Sequence, residues 1–146
     1  MLRTEDRVTN HITKHMNKPI SVKDVMTTAI VTFTADMDLL EASHSMVVHA
    51  VSGAPVVDEQ GLLVGILTER DCFKTTLNAG YHGELAGKVS EYMTREVETV
   101  SADMSILDLA VLFLRNKYRR YPVVSENHLI GIISRRDVLK ALLILA

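Results

Sequence analysis

The apolar residues of the chain recur with two different periods. Leu39, Leu40, Met46 and Val47, with Ser43 on the same stripe, follow helical spacing and predict an amphipathic helix over about 38–49. A second helix is predicted over about 105–116. Asp38 with Glu41, and Ser105 with Asp108, have capping-box spacing at the two helix starts. A short β-rich stretch precedes each helix, Ile30-Val31-Thr32-Phe33 and Val97-Glu98-Thr99-Val100. Two strand-like runs follow the first helix, about 54–58 and 62–67, joined by the turn signal Asp58-Glu59-Gln60-Gly61. The matching runs after the second helix are about 121–124 and 129–133. A further helix is predicted to begin near Glu69, and another near Arg135.

The two halves are copies of one pattern. Val22, Met26 and Thr27 return as Val89, Met93 and Thr94. Ala35-Asp36-Met37 returns as Ala102-Asp103-Met104, and Pro55-Val56-Val57 as Pro122-Val123-Val124. The second copy then drops one residue, after which Gly65-Ile66 returns as Gly131-Ile132 and Arg70-Asp71 as Arg136-Asp137. Each copy reads β-α-β-β-α, so the fold class is α/β, of the α+β kind. A copy of roughly 60 residues hides too little surface to be secure alone. The pattern therefore predicts two copies packed with pseudo-twofold symmetry, at 20–78 and 89–146. Residues 1–19 read as a helical segment ending at Pro19. Residues 79–88, which hold Gly80, Gly83 and Gly87, read as a linker.

Composition narrows the function classes. A chain of 146 residues, 47% apolar and 23% charged, is ordinary globular protein rather than a disordered segment. No apolar run approaches the roughly 18 residues of a membrane span, and the charged first residues do not read as a secretory signal. With one cysteine, Cys72, the expected location is the cytoplasm. A net charge of −2 argues against a nucleic-acid partner. That value is an average, because seven of the 16 Lys and Arg but only two of the 18 Asp and Glu fall in residues 115–146. The second copy is thus the basic one.

Three elements recur at matched positions in both copies. They are the Met-Thr lead-in, the apolar strand ending Pro-Val-Val, and Gly-apolar-apolar-Thr/Ser-x-x-Asp. The last stands as Gly65-Ile66-Leu67-Thr68-Glu69-Arg70-Asp71 and as Gly131-Ile132-Ile133-Ser134-Arg135-Arg136-Asp137. In combination they resemble the CBS domain, named after cystathionine beta-synthase, over residues 20–145. The resemblance implies a tandem pair, or Bateman module, that dimerises and binds adenosine-containing ligands in clefts between the copies. It implies a regulator of some partner protein, not an enzyme.

The chemistry of the motifs fits that expectation. Thr68 and Ser134 stand where a strand gives way to a helix, and a helix N-terminus with a hydroxyl suits a phosphate. Asp71 and Asp137, one turn in, suit the two hydroxyls of a ribose; the competing reading is helix capping by the same residues. By the resemblance, Arg119 and Arg120 match phosphate-contacting positions, and arginine's planar fork of donors suits phosphate oxygens. Arg136 closes the phosphate end of the second cleft, and Arg70 that of the first. The apolar walls are expected from Ile30, Gly53, Ala54 and Pro55 in the first cleft and from Val97, Tyr121 and Pro122 in the second. The second cleft is expected to take AMP, ADP or ATP. The first has the uncharged wall Ser52-Gly53-Ala54 and is expected to bind weakly, stay empty, or take S-adenosylmethionine. A ligand-independent dimeric scaffold is the alternative. No catalytic cofactor or metal is expected: His11 and His15 lack a third ligand, and Cys72 reads as a small apolar helix residue.

Overall fold

The computed structural model describes residues 20–82 and 87–145. The expected N-terminal helix, with His11 and His15, lies outside the described residues. The chain forms two compact units whose boundaries do not follow the repeat. The first holds Ile30–Val97 with Glu126–Leu129; the second holds residues 20–29, Glu98–Ser125 and the residues from Ile130 onward.

In the first unit the strand order is β1 (Phe33–Thr34), β2 (Gly53–Val57), β3 (Leu63–Thr68). β1 runs parallel to β2, pairing Phe33 with Val56, and β2 runs antiparallel to β3, pairing Gly53 with Thr68. Helices α2 (Leu39–Val48) and α3 (Glu69–His82) complete it. Ala54 and Val56 alternate inward on β2 and join Phe33, Leu39, Met46, Leu67 and Cys72 in the core. The second unit repeats this with β4 (Val100–Ser101), α5 (Ile106–Arg115), β5 (Arg120–Ser125), β6 (His128–Ser134) and α6 (Arg135–Leu145). Its core holds Val100, Leu109, Phe113, Tyr121, Val123, Ile133 and Val138.

Each unit is completed by the lead-in of the other copy. The one-turn helix α1 (Val22–Val25) donates Val22 N–H to Met104 O (2.8 Å) and buries Val22 fully in the second unit's core. Thr27 and Ile132 exchange two 2.9 Å bonds. The one-turn helix α4 (Val89–Tyr92) does the same in the first unit, where Val89 N–H reaches Met37 O (2.9 Å) and Thr94 exchanges two 2.9 Å bonds with Ile66. These crossings explain the glycine of the repeated motif. A Cβ on Gly65 would stand 2.9 Å from Thr94 O, and one on Gly131 would stand 3.2 Å from Thr27 O.

Two sequence expectations change. The β-rich stretches reduce to two paired residues each, because only Phe33–Thr34 and Val100–Ser101 find partners on the neighbouring strand. The stretch read as linker begins inside α3, which runs on to His82; Gly80 alone costs about 1 kcal/mol and no proline is there to end the helix. The residue missing from the second copy is also accounted for. The first hairpin turns through Gly61 at φ 81°, whereas the second turns tightly through Glu126 and Asn127, both at positive φ.

Candidate functional site

Thr68 and Ser134 end their strands and start their helices, as the motif predicts. Their first task is internal. Thr68 N–H donates to Asp71 Oδ2 (2.9 Å), the Thr68 hydroxyl donates to the same oxygen (3.0 Å), and Asp71 N–H returns a bond to the Thr68 hydroxyl oxygen (3.3 Å). Ser134 and Asp137 repeat this box, with Ser134 N–H to Asp137 Oδ2 at 2.9 Å and Asp137 N–H to Ser134 Oγ at 3.0 Å. The capping role is therefore real. It uses one oxygen of each carboxylate, and no bond to the other oxygen, Oδ1, is found among the described residues.

The strand entry is tied to the helix start identically in both units. Glu69 N–H donates to Ser52 O and Arg135 N–H donates to Arg119 O, both at 2.9 Å. The backbone frame is thus common to the copies, and the side chains on it are not. In the first unit the frame carries Ser52, Gly53 and Arg70; in the second it carries Arg119, Arg120 and Arg136. Arg119 and Arg136 are exposed and Arg120 is half-buried at the start of β5. None of the three has an ion-pair or hydrogen-bond partner for its guanidinium among the described residues. The bond through Arg119 O ties the Arg119 backbone to the start of the helix that carries Arg136. Such a set offers several charged donors to an anion.

The expected apolar walls divide. Gly53 pairs with Thr68 in register and Pro55 with Ile66. Pro55 and Pro122 are fully buried. Ala54 and Tyr121, in contrast, point into the cores. Tyr121 is 1% exposed. Its ring lies 5.1 Å from Phe113 and 5.5 Å from Tyr118, and its hydroxyl accepts from Asn116 Nδ2 at 3.1 Å. Its side chain is thus committed to packing; strand alternation puts Arg120 and Pro122 on the opposite face. The role of Asn116 was not foreseen, since its repeat counterpart is His49 and the pattern carries no signal for it. Ile30 is half-buried and opens the first unit, with Gly53, Thr68, Arg70 and Asp71. Val97 is half-buried and closes that same unit, so it is assigned apart from Arg119, Arg120, Ser134 and Asp137.

Cys72 is buried in the first core, and burial pushes its thiol up from the usual range. That suits a packing residue and not a nucleophile. Among the described residues no three His, Cys, Asp or Glu gather as metal ligands. No helix among them is long and apolar enough to cross a membrane.

The comparisons agree with this geometry. The CBS domain profile matches twice, at residues 22–77 and 89–144. The CBS domain-containing protein YhcV of Bacillus subtilis is 39% identical over 118 residues, which cover 81% of this chain and 82% of YhcV. The chain spans 44% of a longer relative from Methanocaldococcus jannaschii. Among solved structures, the CBS-pair protein CBSX2 of Arabidopsis thaliana in complex with AMP superposes with a TM-score of 0.74 at 30% identity, covering 86% of this chain and 97% of that one. The CBS domain pair of protein MJ0100, in complex with 5′-methylthioadenosine and S-adenosyl-L-methionine, superposes with a TM-score of 0.68 at 27% identity, covering 85% and 96%. With both copies matched and the paired sheets in place, the chain belongs to the CBS domain family as a tandem pair.

Proposed function

We propose that this chain is a non-catalytic regulatory module that binds AMP, ADP or ATP through the second unit, works as a homodimer in the cytoplasm, and modulates a partner protein. One observation carries the reading: the backbone frame that carries Ser52, Gly53 and Arg70 in the first unit carries Arg119, Arg120 and Arg136 in the second. Phosphates neutralise such a cluster, and the Asp137 carboxylate keeps an oxygen for a ribose. The AMP complex of CBSX2 supports the ligand class. The first unit has the same Thr-Asp frame with one arginine, which favours a less anionic adenosine compound there. The S-adenosyl-L-methionine complex of MJ0100 supports that second ligand.

Calorimetric titration of ligand-free protein with AMP, ATP and S-adenosylmethionine tests the proposal. Arg120→Ala removes a charge-assisted contact of roughly 1.5–3 kcal/mol. It is expected to weaken AMP and ATP tenfold or more while leaving adenosine unchanged. Equal loss for adenosine and AMP rejects the phosphate role, and no heat with any ligand rejects nucleotide binding.

A further inference from the structure

The turn that delivers Arg119 and Arg120 is built differently from its counterpart in the first unit. It is four residues long, 116–119, between the end of α5 and the start of β5. Lys117, Arg119 and Arg120 place three positive charges in four residues, and no acidic residue occurs between Asp108 and Glu126. Like charges this close repel one another, so a loosely held turn would spread them. Side chains hold it instead. Asn116 leaves α5 in an extended conformation, φ −112° and ψ 160°, with its N–H on Leu112 O at 3.0 Å. Its side chain reaches across the turn, where Asn116 Nδ2 donates to the Tyr121 hydroxyl oxygen at 3.1 Å. The Tyr118 ring stands edge-on to the Tyr121 ring at 5.5 Å, and the far side of the cluster is Phe113, 5.1 Å from Tyr121. Arg119 O accepts from Arg135 N–H at 2.9 Å.

At the same place the first unit closes its turn through the backbone. His49 ends α2 in the helical conformation, φ −90° and ψ 0°, and Ala50 follows at φ 53°. Ala50 N–H bonds to Val47 O and Val51 N–H to Met46 O. The His49 ring stays on its own helix, with Nδ1 2.9 Å from Ser45 O. Val51 and Ala54 stand where the second unit has Tyr118 and Tyr121, so the first turn has neither an aromatic pair nor a hydroxyl to reach. The unit with the uncharged wall Ser52-Gly53 lacks the side-chain bracket, and the unit with the arginine pair has it.

We infer that Asn116, Tyr118 and Tyr121 are positioning residues, a bracket that holds Arg119 and Arg120 ready for phosphate before the ligand arrives. The Tyr121 side chain is buried in the core, on the face opposite Arg120, so it acts through the arginines and not on the ligand. This rests on the nucleotide reading proposed above and adds how its cations are pre-organised. Affinity falls with the fraction of protein in the competent pose, and one neutral hydrogen bond biases a turn by up to about tenfold.

The test is calorimetric titration of the ligand-free full chain with AMP and with adenosine, which lacks the phosphate. Tyr121→Phe keeps the ring and removes only the acceptor. It is expected to weaken AMP about three- to tenfold and adenosine by less than about twofold. Asn116→Ala removes the donor at a half-buried site and is expected to do the same. The double variant is expected to lose no more than either single one, because both break one bond. Tyr118→Ala is expected to weaken AMP in the same selective way. Circular dichroism checks that each variant keeps its fold. In the ligand-free protein, hydrogen exchange at the Arg135 amide, which is bonded to Arg119 O, is expected to quicken in Tyr121→Phe. If the wild type binds AMP and neither Tyr121→Phe nor Asn116→Ala moves its affinity, the bracket is overturned and the nucleotide reading stands. Equal weakening of AMP and adenosine also overturns the bracket, since the loss is then not routed through the arginines. A wild type that binds neither compound overturns the nucleotide reading, and the positioning role falls with it.

Discussion

Replacing Gly65 by Ala should destabilise the first unit, against the usual sign for such a change in an extended segment. A Gly→Ala change that the backbone tolerates stabilises by about 0.4–1 kcal/mol through the unfolded chain. Here the added methyl would stand 2.7 Å from Met93 Sδ and 2.9 Å from Thr94 O. The methionine side chain can swing aside, but the carbonyl cannot. It is held by Ile66 N–H at 2.9 Å, and Thr94 N–H is bonded back to Ile66 O at the same distance. To restore ordinary contact the lead-in must retreat by several tenths of an ångström, which strains both bonds, each worth about 0.5–1.5 kcal/mol. Overpacking in such a site costs about 1–3 kcal/mol. After the opposing entropy gain, a net loss of roughly 0.5–2 kcal/mol remains. Urea unfolding followed by circular dichroism should show a lower midpoint with little change in slope. Gly131→Ala should cost less, because Thr27 O is farther away at 3.2 Å. Adding Met93→Ala to Gly65→Ala should not restore stability. A neutral or stabilising Gly65→Ala would refute the seating of Thr94 across β3, and full rescue by Met93→Ala would refute the backbone crossing.

Two more outcomes follow from the same geometry. A fragment spanning residues 30–97 should retain more ordered structure than one spanning 20–82, both being small for a stable core. The second lacks Val89 and Met93, which are 0% and 9% exposed in the first core and stabilise by about 1.5–3 kcal/mol each; amide dispersion in NMR spectra reads the difference, and a folded 20–82 fragment would refute the exchange of lead-ins. Ala50→Gly should stabilise the protein by up to about 1 kcal/mol in thermal melts. Ala50 ends α2 at φ 53°, with its N–H on Val47 O and the Val51 N–H on Met46 O, the arrangement in which glycine is favoured; a lower melting point would show that the strain at this turn is not relieved by glycine.

Much of each copy was legible because its signals are local. The starts of α3 and α6 were fixed by Thr68 with Asp71 and by Ser134 with Asp137, and the capping bonds form there as the spacing demands. The destination of the lead-ins was not legible for a physical reason. Val22 and Val89 are the same residue in the same pattern, so each would satisfy either sheet, and choosing between them needs the path of the whole chain. The core packing of the Tyr121 side chain was not legible for a different reason. Its neighbours to the strand's end alternate, and Tyr121 shares a face with Val123, which is fully buried in the core. That period points the side chain inward, whereas the ligand-wall expectation came from its place before Pro122 in the resembling motif, and its hydroxyl is met by Asn116. The unpaired arginines were visible as a charge bias; that their backbone frame matches the uncharged first copy was not.

Which positions stayed alike between the copies, and which parted, follows from how much slack each one has. Gly65 and Gly131 lie under a crossing chain, Val22 and Val89 are fully buried, and Val56 and Val123 are likewise 0% exposed. A change at any of them costs core packing or backbone bonds. Positions 52, 69, 119 and 135 are exposed, where substitutions usually move stability by less than about 0.5 kcal/mol. Charge could therefore change there without penalty to the fold, and it changed in one direction, as it did at the half-buried neighbours 53 and 120: Ser52 against Arg119, Gly53 against Arg120, Glu69 against Arg135. The first two pairs give one unit the cationic cluster proposed to hold phosphate. The third gives the equivalent helix starts opposite signs. A duplicated module with a net charge of only −2 thus becomes polar along its own length. An anion held at Arg119, Arg120 and Arg136 should therefore bind more weakly as salt is raised, because exposed charges supply the attraction.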